Sequence, residues 1–519
     1  MGGGGLMQLV AYGAQDVYLT GNPQITFWKV VYRRHTNFSV EAIEQTFNGQ
    51  PDFGKRVTCT ISRNGDLIHR VYLQVTLPAV QCPTSVSNCF RWVNYIGHQL
   101  IRNVDVEIGG QRIDRHYGDW LNIWNELTQE PGHQVGYDNM VGNTIALTGF
   151  GQNNTQATTL YVPLQFWFNR NPGLALPLIA LQYHEVKINL EFRSKSECFV
   201  TSSSVGACDT TVNFSSQTTF CVPSLETATL YVDYVYLDTD ERRRFAQVSH
   251  EYLIEQLQFT GDESITTQNV KMRMNFNHPV KELVWVVQRD SVVQPGINQW
   301  TNYTDDYDND TLTNLTAAGS LTAAAALNTN VESGWTAQSF PDFATFSQTL
   351  STYPGLGAAG AAGLRDQAAS SAYMFPAGPG QIANSFAPVN FGVENSAGGG
   401  SDHAGLAPMN AGRNPVVRAK IQLNGHDRFS ERLGSYFNLV QPYEHHTDVP
   451  AVGINVYSFA LKPEEHQPSG TCNFSRIDSA VLQLQLTSKA AIGSKVRVYA
   501  TNYNVLRIMS GMGGLAYSN

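Results

Sequence analysis

The sequence predicts an all-β protein made of two sandwich- or barrel-type domains built on one duplicated plan. Three observations predict it. Apolar and polar residues alternate at a period of two, glycine turn pairs punctuate the alternating runs, and the second half of the chain repeats the first.

The runs come in order. Val57, Cys59 and Ile61 alternate with Thr58, Thr60 and Ser62, and Val186, Ile188, Leu190 and Phe192 alternate with Lys187, Asn189 and Glu191. Val270, Met272, Met274 and Phe276 alternate with Lys271, Arg273 and Asn275, and Leu482, Leu484 and Leu486 with Gln483 and Gln485. Each reads as a strand with one face on a core. A one-residue slip would turn its apolar set into water, so register is strongly specified. Asn64-Gly65, Gly109-Gly110 and Asn424-Gly425 supply the turns. Short strands, many turns and few helices mean sandwiches or barrels.

The internal repeat is the strongest signal. Val104–Trp124 (VDVEIGGQRIDRHYGDWLNIW) and Ala419–Val440 (AKIQLNGHDRFSERLGSYFNLV) each give a strand, a glycine turn, a polar stretch and an amphipathic helix. Gly118 matches Gly434 and Asn122 matches Asn438. Tyr117, Trp120, Leu121 and Trp124 correspond to Leu433, Tyr436, Phe437 and Val440, one apolar stripe on each helix. Val57–Val75 aligns with Val270–Gln288, so the second half carries about a hundred extra residues between the same two strands.

That insertion holds the charge. Between Asp290 and Gly412 the one cation, Arg365, faces ten acids, so the segment carries the whole net charge of −9 and the remainder is balanced. Rich in Ala, Gly, Ser, Asn and Thr, it reads as a solvent-facing projection from a neutral scaffold that can pack against copies of itself.

Composition removes several classes. The 519 residues are 42% hydrophobic and only 15% charged, with 23 Tyr and 25 Phe, which argues against disorder. The longest apolar stretch, Leu174–Leu181, contains Pro177 and is too short to cross a membrane as a helix. The N-terminal MGGGGLMQLVAYG is not expected to be a secretory signal, and Leu6 stands where a myristoylation signal has Ser or Thr. The seven cysteines, odd in number and without a C-x-x-C pair, point to free thiols in a reducing compartment.

Motifs for chemistry fail on inspection. Gly355–Gly360 matches G-x-G-x-x-G, but Pro354 precedes it and no acid follows at the required distance. Asp306, Asp308 and Asp310 start like a calcium loop that then has Thr311 for Gly and Ala317 for Glu. His445 and His446 would point to opposite faces of a strand, so no metal set is expected. Glu241–Arg244 reads as a solvated linker or subunit contact, and Phe166-Trp167-Phe168 as core packing. The sequons at Asn302, Asn309 and Asn314 are read as coincidence in an Asn/Thr-rich loop. No catalytic, cofactor-binding or metal residue is assigned.

Leu6–Gly49 (LMQLVAYGAQDVYLTGNPQITFWKVVYRRHTNFSVEAIEQTFNG) closely resembles the major capsid proteins of the nucleocytoplasmic large DNA viruses. The likeness continues through Ile61–Ile68 (ISRNGDLI), Phe168–Pro177 (FNRNPGLALP), Pro468–Arg476 (PSGTCNFSR) and Asn502–Leu515 (NYNVLRIMSGMGGL). The resemblance implies a double jelly-roll, two tandem eight-stranded sandwiches, with an N-terminal arm over 1–25, the first jelly-roll over 26–240 and the second over 245–519. The segment 290–415 would form an outer tower loop. It further implies a structural, non-enzymatic homotrimer without cofactor, a pseudo-hexagonal capsomer of the icosahedral virion shell. Its partners would be neighbouring capsomers, with minor capsid proteins and an internal membrane beneath. Assembly is expected in the host cytoplasm, without direct nucleic-acid contact, and 290–415 could touch the host surface. The competing reading is a two-jelly-roll glycan-binding or glycan-cleaving protein, which would need an aromatic cleft with paired carboxylates.

Overall fold

The computed structural model describes residues 3–28, 30–81, 90–148, 154–201, 222–294, 298–305, 414–491 and 493–517. Residues 306–413, most of the insertion assigned to 290–415, lie outside the described residues. With them lie Gly355–Gly360, the Asp306–Asp310 series and the sequons at Asn309 and Asn314. So do Cys82, Cys89, Cys208 and Cys221; Cys59, Cys198 and Cys472 are unpaired thiols.

Eight principal strands, beside five of two or three residues among the described residues, build the first half: β1 (Phe38–Gln45), β2 (Arg56–Thr60), β3 (Leu67–Leu77), β4 (Ile101–Ile108), β5 (Gln111–Tyr117), β6 (Thr158–Pro163), β7 (Val186–Phe192) and β8 (Thr227–Leu237). The second half repeats them: β9 (His250–Phe259), β10 (Asn269–Arg273), β11 (Pro279–Arg289) and β12 (Val416–Leu423) come first. Then follow β13 (His426–Asp427, resumed at Arg432–Leu433), β14 (Ile454–Ser458), β15 (Ala480–Leu486) and β16 (Ser494–Met509). The sheets run β1-β8-β3-β6 over β2-β7-β4-β5, and β9-β16-β11-β14 over β10-β15-β12-β13. Each strand therefore occupies the place of the strand eight earlier. Two four-stranded antiparallel sheets in this order are a jelly-roll, and the chain holds two.

The duplication extends to irregularities. β3 and β11 are both eleven residues long, and each breaks register with its neighbour near its start, at Val232/Tyr234 against β3 and at Val280/Glu282 along β11. The extra residues of the second half fall between β11 and β12, where the repeat placed them.

Each sandwich has its own core, one around Val71, Leu73, Val75 and Trp92, the other around Trp285, Leu482, Leu484 and Phe437. Alternation explains β3, where Val71, Leu73 and Val75 are buried while Tyr72, Gln74 and Thr76 face outward and are half-buried. Phe166, Trp167 and Phe168 sit in the first core as read from the sequence.

Four helices matter here: α1 (Gly4–Val10), α2 (Gly118–Thr128), α3 (Thr239–Gln247) and α4 (Gln441–His445). The repeat predicted an amphipathic helix with a buried stripe at Leu433, Tyr436, Phe437 and Val440. The structure corrects this. A single π turn, Tyr436–Val440, runs into α4, and of the four only Phe437 is fully buried. The cause lies outside the helix: among the described residues nothing covers the side on which Leu433 and Val440 lie.

Candidate assembly surfaces

A third hydrophobic cluster joins the two sandwiches. Trp120, Ile123, Trp124 and Leu127 of α2 meet Val284, Val286, Ile454, Val456 and Tyr499 on the outward sheet of the second sandwich, with Tyr303 enclosed among them. The Trp120 and Tyr499 rings lie 5.3 Å apart, and those of Tyr117 and Phe259 5.0 Å. Strand β11 is consequently buried on both faces, which is why Leu283-Val284-Trp285-Val286-Val287 is continuously apolar instead of alternating. That run was the available sequence signal for the joint.

Buried charge locks the same seam. Asp119, at the start of α2, accepts from Arg193 of the first sandwich (3.0 Å) and Arg497 of the second (2.8 Å), and Arg497 also reaches Asp262 (2.9 Å). Arg193 lies over the Trp300 ring at 4.2 Å. Glu255 likewise bridges the halves, pairing with Arg170 (2.8 Å) and with fully buried Lys281 (2.7 Å), while Arg170 stacks over Trp124 at 4.0 Å. Main-chain ties add to this: Asp448 N–H donates to the Leu127 carbonyl (3.0 Å) and Leu257 N–H to Asp114 (3.1 Å).

His445 and His446 are not on a strand. They end α4, where His446 sits between Glu282 (3.1 Å) and Glu464 (2.9 Å), while His445 Nδ1 lies 3.0 Å from the Leu461 carbonyl. Burial alone would lower the His446 pKa, but the two carboxylates outweigh it and hold it at about 9. Burial raises Glu282, and His446, Lys281 and Thr501 more than reverse this, leaving it below the usual range. Elsewhere burial dominates: Glu126, which accepts from Ala451 N–H across the seam (3.3 Å), is pushed up to about 7, as is Asp138.

The sign of the pH dependence follows. Glu126 and Asp138 bind protons more tightly when folded, so their contribution is complete below about pH 4 and is lost as pH rises through about 7. The His446 contribution is complete below its ordinary 6.5 and is lost through about 9, whereas that of Glu282 is lost as pH falls below about 4.5. The melting temperature should therefore decline in two stages, the first between about pH 4 and 7 and the second between about pH 6.5 and 9. Glu126→Gln with Asp138→Asn should abolish the first stage and spare the second. A wild-type profile flat from about pH 5 to 8 would contradict this assignment.

The remaining features read from sequence are scattered. Glu241–Arg244 lies on α3 between the sandwiches, largely exposed, with Arg242 paired to Asp66 of the first (3.0 Å). Asn302 accepts from Thr304 N–H and Oγ1 (3.0 and 2.8 Å), so this sequon is folded against itself. Among the described residues no three His, Cys, Asp or Glu side chains gather to hold a metal ion, and no helix is long and apolar enough to cross a membrane. An open cleft of about 490 Å³ between the halves is lined by Tyr183, Val248 and Met509 and has no carboxylate in its wall.

The exposed apolar surface is concentrated. From Leu6 to Tyr32 the large apolar side chains described are open to solvent, Phe27 and Tyr18 almost wholly, and α1 buries none of its residues. Soluble monomers rarely leave such contiguous apolar surface bare.

Comparison with known proteins gives a consistent result. Residues 26–238 match the model of the major capsid protein N-terminus, and residues 241–514 match that of the large eukaryotic DNA virus major capsid protein. The chain is 53% identical over 550 residues to the major capsid protein of Phaeocystis pouchetii virus, covering 99% of this chain and all of that one. It is 41% identical over 546 residues to that of Paramecium bursaria Chlorella virus 1, with 99% and 100% covered. Among solved structures, the quasi-atomic model of the PBCV-1 virus capsid aligns at a TM-score of 0.62 and 34% identity over 95% of this chain and 100% of that one. The Faustovirus major capsid protein aligns at 0.63, with 96% and 94% covered; at 12% identity it shares the fold.

Proposed function

The chain belongs to the major capsid proteins of the large eukaryotic DNA viruses, and from that premise we propose that three copies close into a pseudo-hexagonal capsomer of the icosahedral outer shell. It is a structural protein of the virion capsid. One observation carries the trimer. The outward sheet of the second sandwich is buried under the first sandwich of the same chain, while the equivalent sheet of the first stands open. A joint made once inside the chain and left unmade at both ends is head-to-tail, and such joints close into rings when their rotation permits. Two sandwiches per chain and three chains give six near-equivalent units.

In this reading 1–25 is an arm whose bare apolar side chains lie along the inner face, against minor capsid proteins above an internal membrane. The units 26–240 and 245–519 are the two jelly-rolls, and 290–415 is an acidic outer loop free to meet the host surface. Assembly takes place in the host cytoplasm. The chain has no catalytic role, cofactor or direct nucleic-acid contact in this scheme. The glycan reading is not favoured: the relatives are capsid proteins, and the cleft between the halves lacks the carboxylate pair that glycoside cleavage needs.

Native mass measurement of the purified protein tests this. Three times 57.2 kDa, about 172 kDa, is expected, and a protein that stays at 57.2 kDa at every concentration would overturn it.

A further inference from the structure

The two copies of the post-strand helix differ in one systematic way. Leu121 and its counterpart Phe437 both point into their own sandwich, and both are buried. Ile123, Trp124 and Leu127 point at the other sandwich and are buried too. Their counterparts in the second half, at the constant offset set by Gly118 and Gly434, are Leu439, Val440 and Tyr443. These are 44%, 39% and 80% exposed. The helix that faces a neighbouring sandwich within the chain is covered, and the one that meets no other element among the described residues is bare while still apolar.

The receiving surface can be mapped as well. In the second sandwich Val284 stands opposite Tyr499 and Val456, and Val286 opposite Ile454. In the first, Tyr72 stands opposite Tyr231 and Pro163, and Gln74 opposite Tyr161. The structure corrects the sequence alignment by one residue here: β3 and β11 superpose Leu67–Leu77 on Pro279–Arg289, so Tyr72 matches Val284 and not Trp285, which takes the inward place of Leu73. The pairings then put Tyr161 and Tyr231 at the places of Ile454 and Tyr499. The three tyrosines form one outward cluster: Tyr72 and Tyr231 stack at 5.5 Å, and Tyr161 meets Tyr72 edge-on at 6.3 Å. Tyrosine suits a surface that is wet before association and dry afterwards, because its ring buries area while its hydroxyl stays hydrated.

We propose that Leu439, Val440 and Tyr443 of one copy seat on Tyr72, Tyr161 and Tyr231 of the next, repeating between chains the joint that α2 makes within each. The proposal rests on the trimer reading and adds to it the residues of the contact and its polarity. The occupant is a second copy because, among the described residues, the surface that covers the tyrosine sheet's counterpart is this chain's own helix α2, whose equivalent stripe is left bare. The buried charges do not carry over: Ser435 stands for Asp119, and Thr229 for Arg497, so the joint between chains is held by apolar and aromatic contact and should be insensitive to salt.

The polarity gives a test that separates this proposal from its premise. Leu439→Asp spoils only the helix side and Tyr161→Asp only the tyrosine side, both at exposed positions. Each variant should run as a 57.2 kDa species at concentrations where the wild type is trimeric, with a cooperative melting transition and wild-type circular dichroism confirming that it is folded. Mixed together, the two retain one good joint between them, and chemical cross-linking should trap a 1:1 dimer that neither gives alone. Leu439→Ser and Tyr161→Ser repeat the measurement should either aspartate variant fail to fold. Folded variants that remain trimeric, or a mixture that yields no dimer, overturn the proposed contact while leaving the trimer intact. A wild type that never trimerises overturns the premise instead.

Discussion

Asp119→Ala is expected to destabilise the chain by about 3–5 kcal/mol, because it removes the carboxylate that two buried guanidinium groups share. Arg193 and Arg497 come from different sandwiches and approach Asp119 at 3.0 and 2.8 Å, with each side chain about nine-tenths buried. Arg497 keeps Asp262 and Arg193 keeps the Trp300 ring, so neither is wholly stranded. The loss therefore stays within the range for removing one partner of a buried pair. For a sandwich of about 200 residues this corresponds to roughly 10 °C in melting temperature. The damage should be local to the seam: the chain around α3, between the sandwiches, should become the first site of limited proteolysis. An Asp119→Ala protein with unchanged melting temperature and digestion pattern would mean that the charge network contributes nothing to holding the halves together.

Gly434→Ala should be at least as disruptive, costing about 3 kcal/mol or more, the upper range for forcing atoms into a packed site. A Cβ at Gly434 would lie 1.8 Å from the carbonyl oxygen of Val416, the first residue of β12. Its counterpart Gly118 would place a Cβ 2.2 Å from the carbonyl oxygen of Ile101, the first residue of β4. Both obstacles are main chain at the root of an interior strand, so no rotamer change relieves them. Neither glycine has a positive φ; close approach alone excludes a side chain. The two alanine variants should fail in the same way, with poor soluble yield and lowered melting temperature. If either tolerates alanine at full stability, the equivalence of the two turns is wrong.

The duplicated plan was legible because each half needs the same local devices. Alternation orients the strands, Gly118 and Gly434 admit the same close packing, and Leu121 and Phe437 fill the same place in their cores. What the sequence did not display was which outward faces meet. Tyr72 and Val284 occupy equivalent positions, and only the continuous apolar run Leu283–Val287 marks the second as covered on both sides. The lock is harder still to read, since Asp119, Arg193, Asp262 and Arg497 are brought together from up to 378 residues apart. His446 was misread because a helix end and a strand look alike in a short polar stretch, and its partners Glu282 and Glu464 come from distant segments. The exposed stripe of Leu439, Val440 and Tyr443 was half legible. The apolar pattern is there in the residues, but its lack of cover belongs to the isolated chain.

Projection images of the purified trimer, viewed down its symmetry axis, bear most directly on the idea that one sandwich was doubled to let three chains imitate six. The expected image is a closed ring of six lobes of nearly equal size, alternating in a threefold pattern. Three lobes, an open string, or lobes of plainly unequal architecture would contradict it.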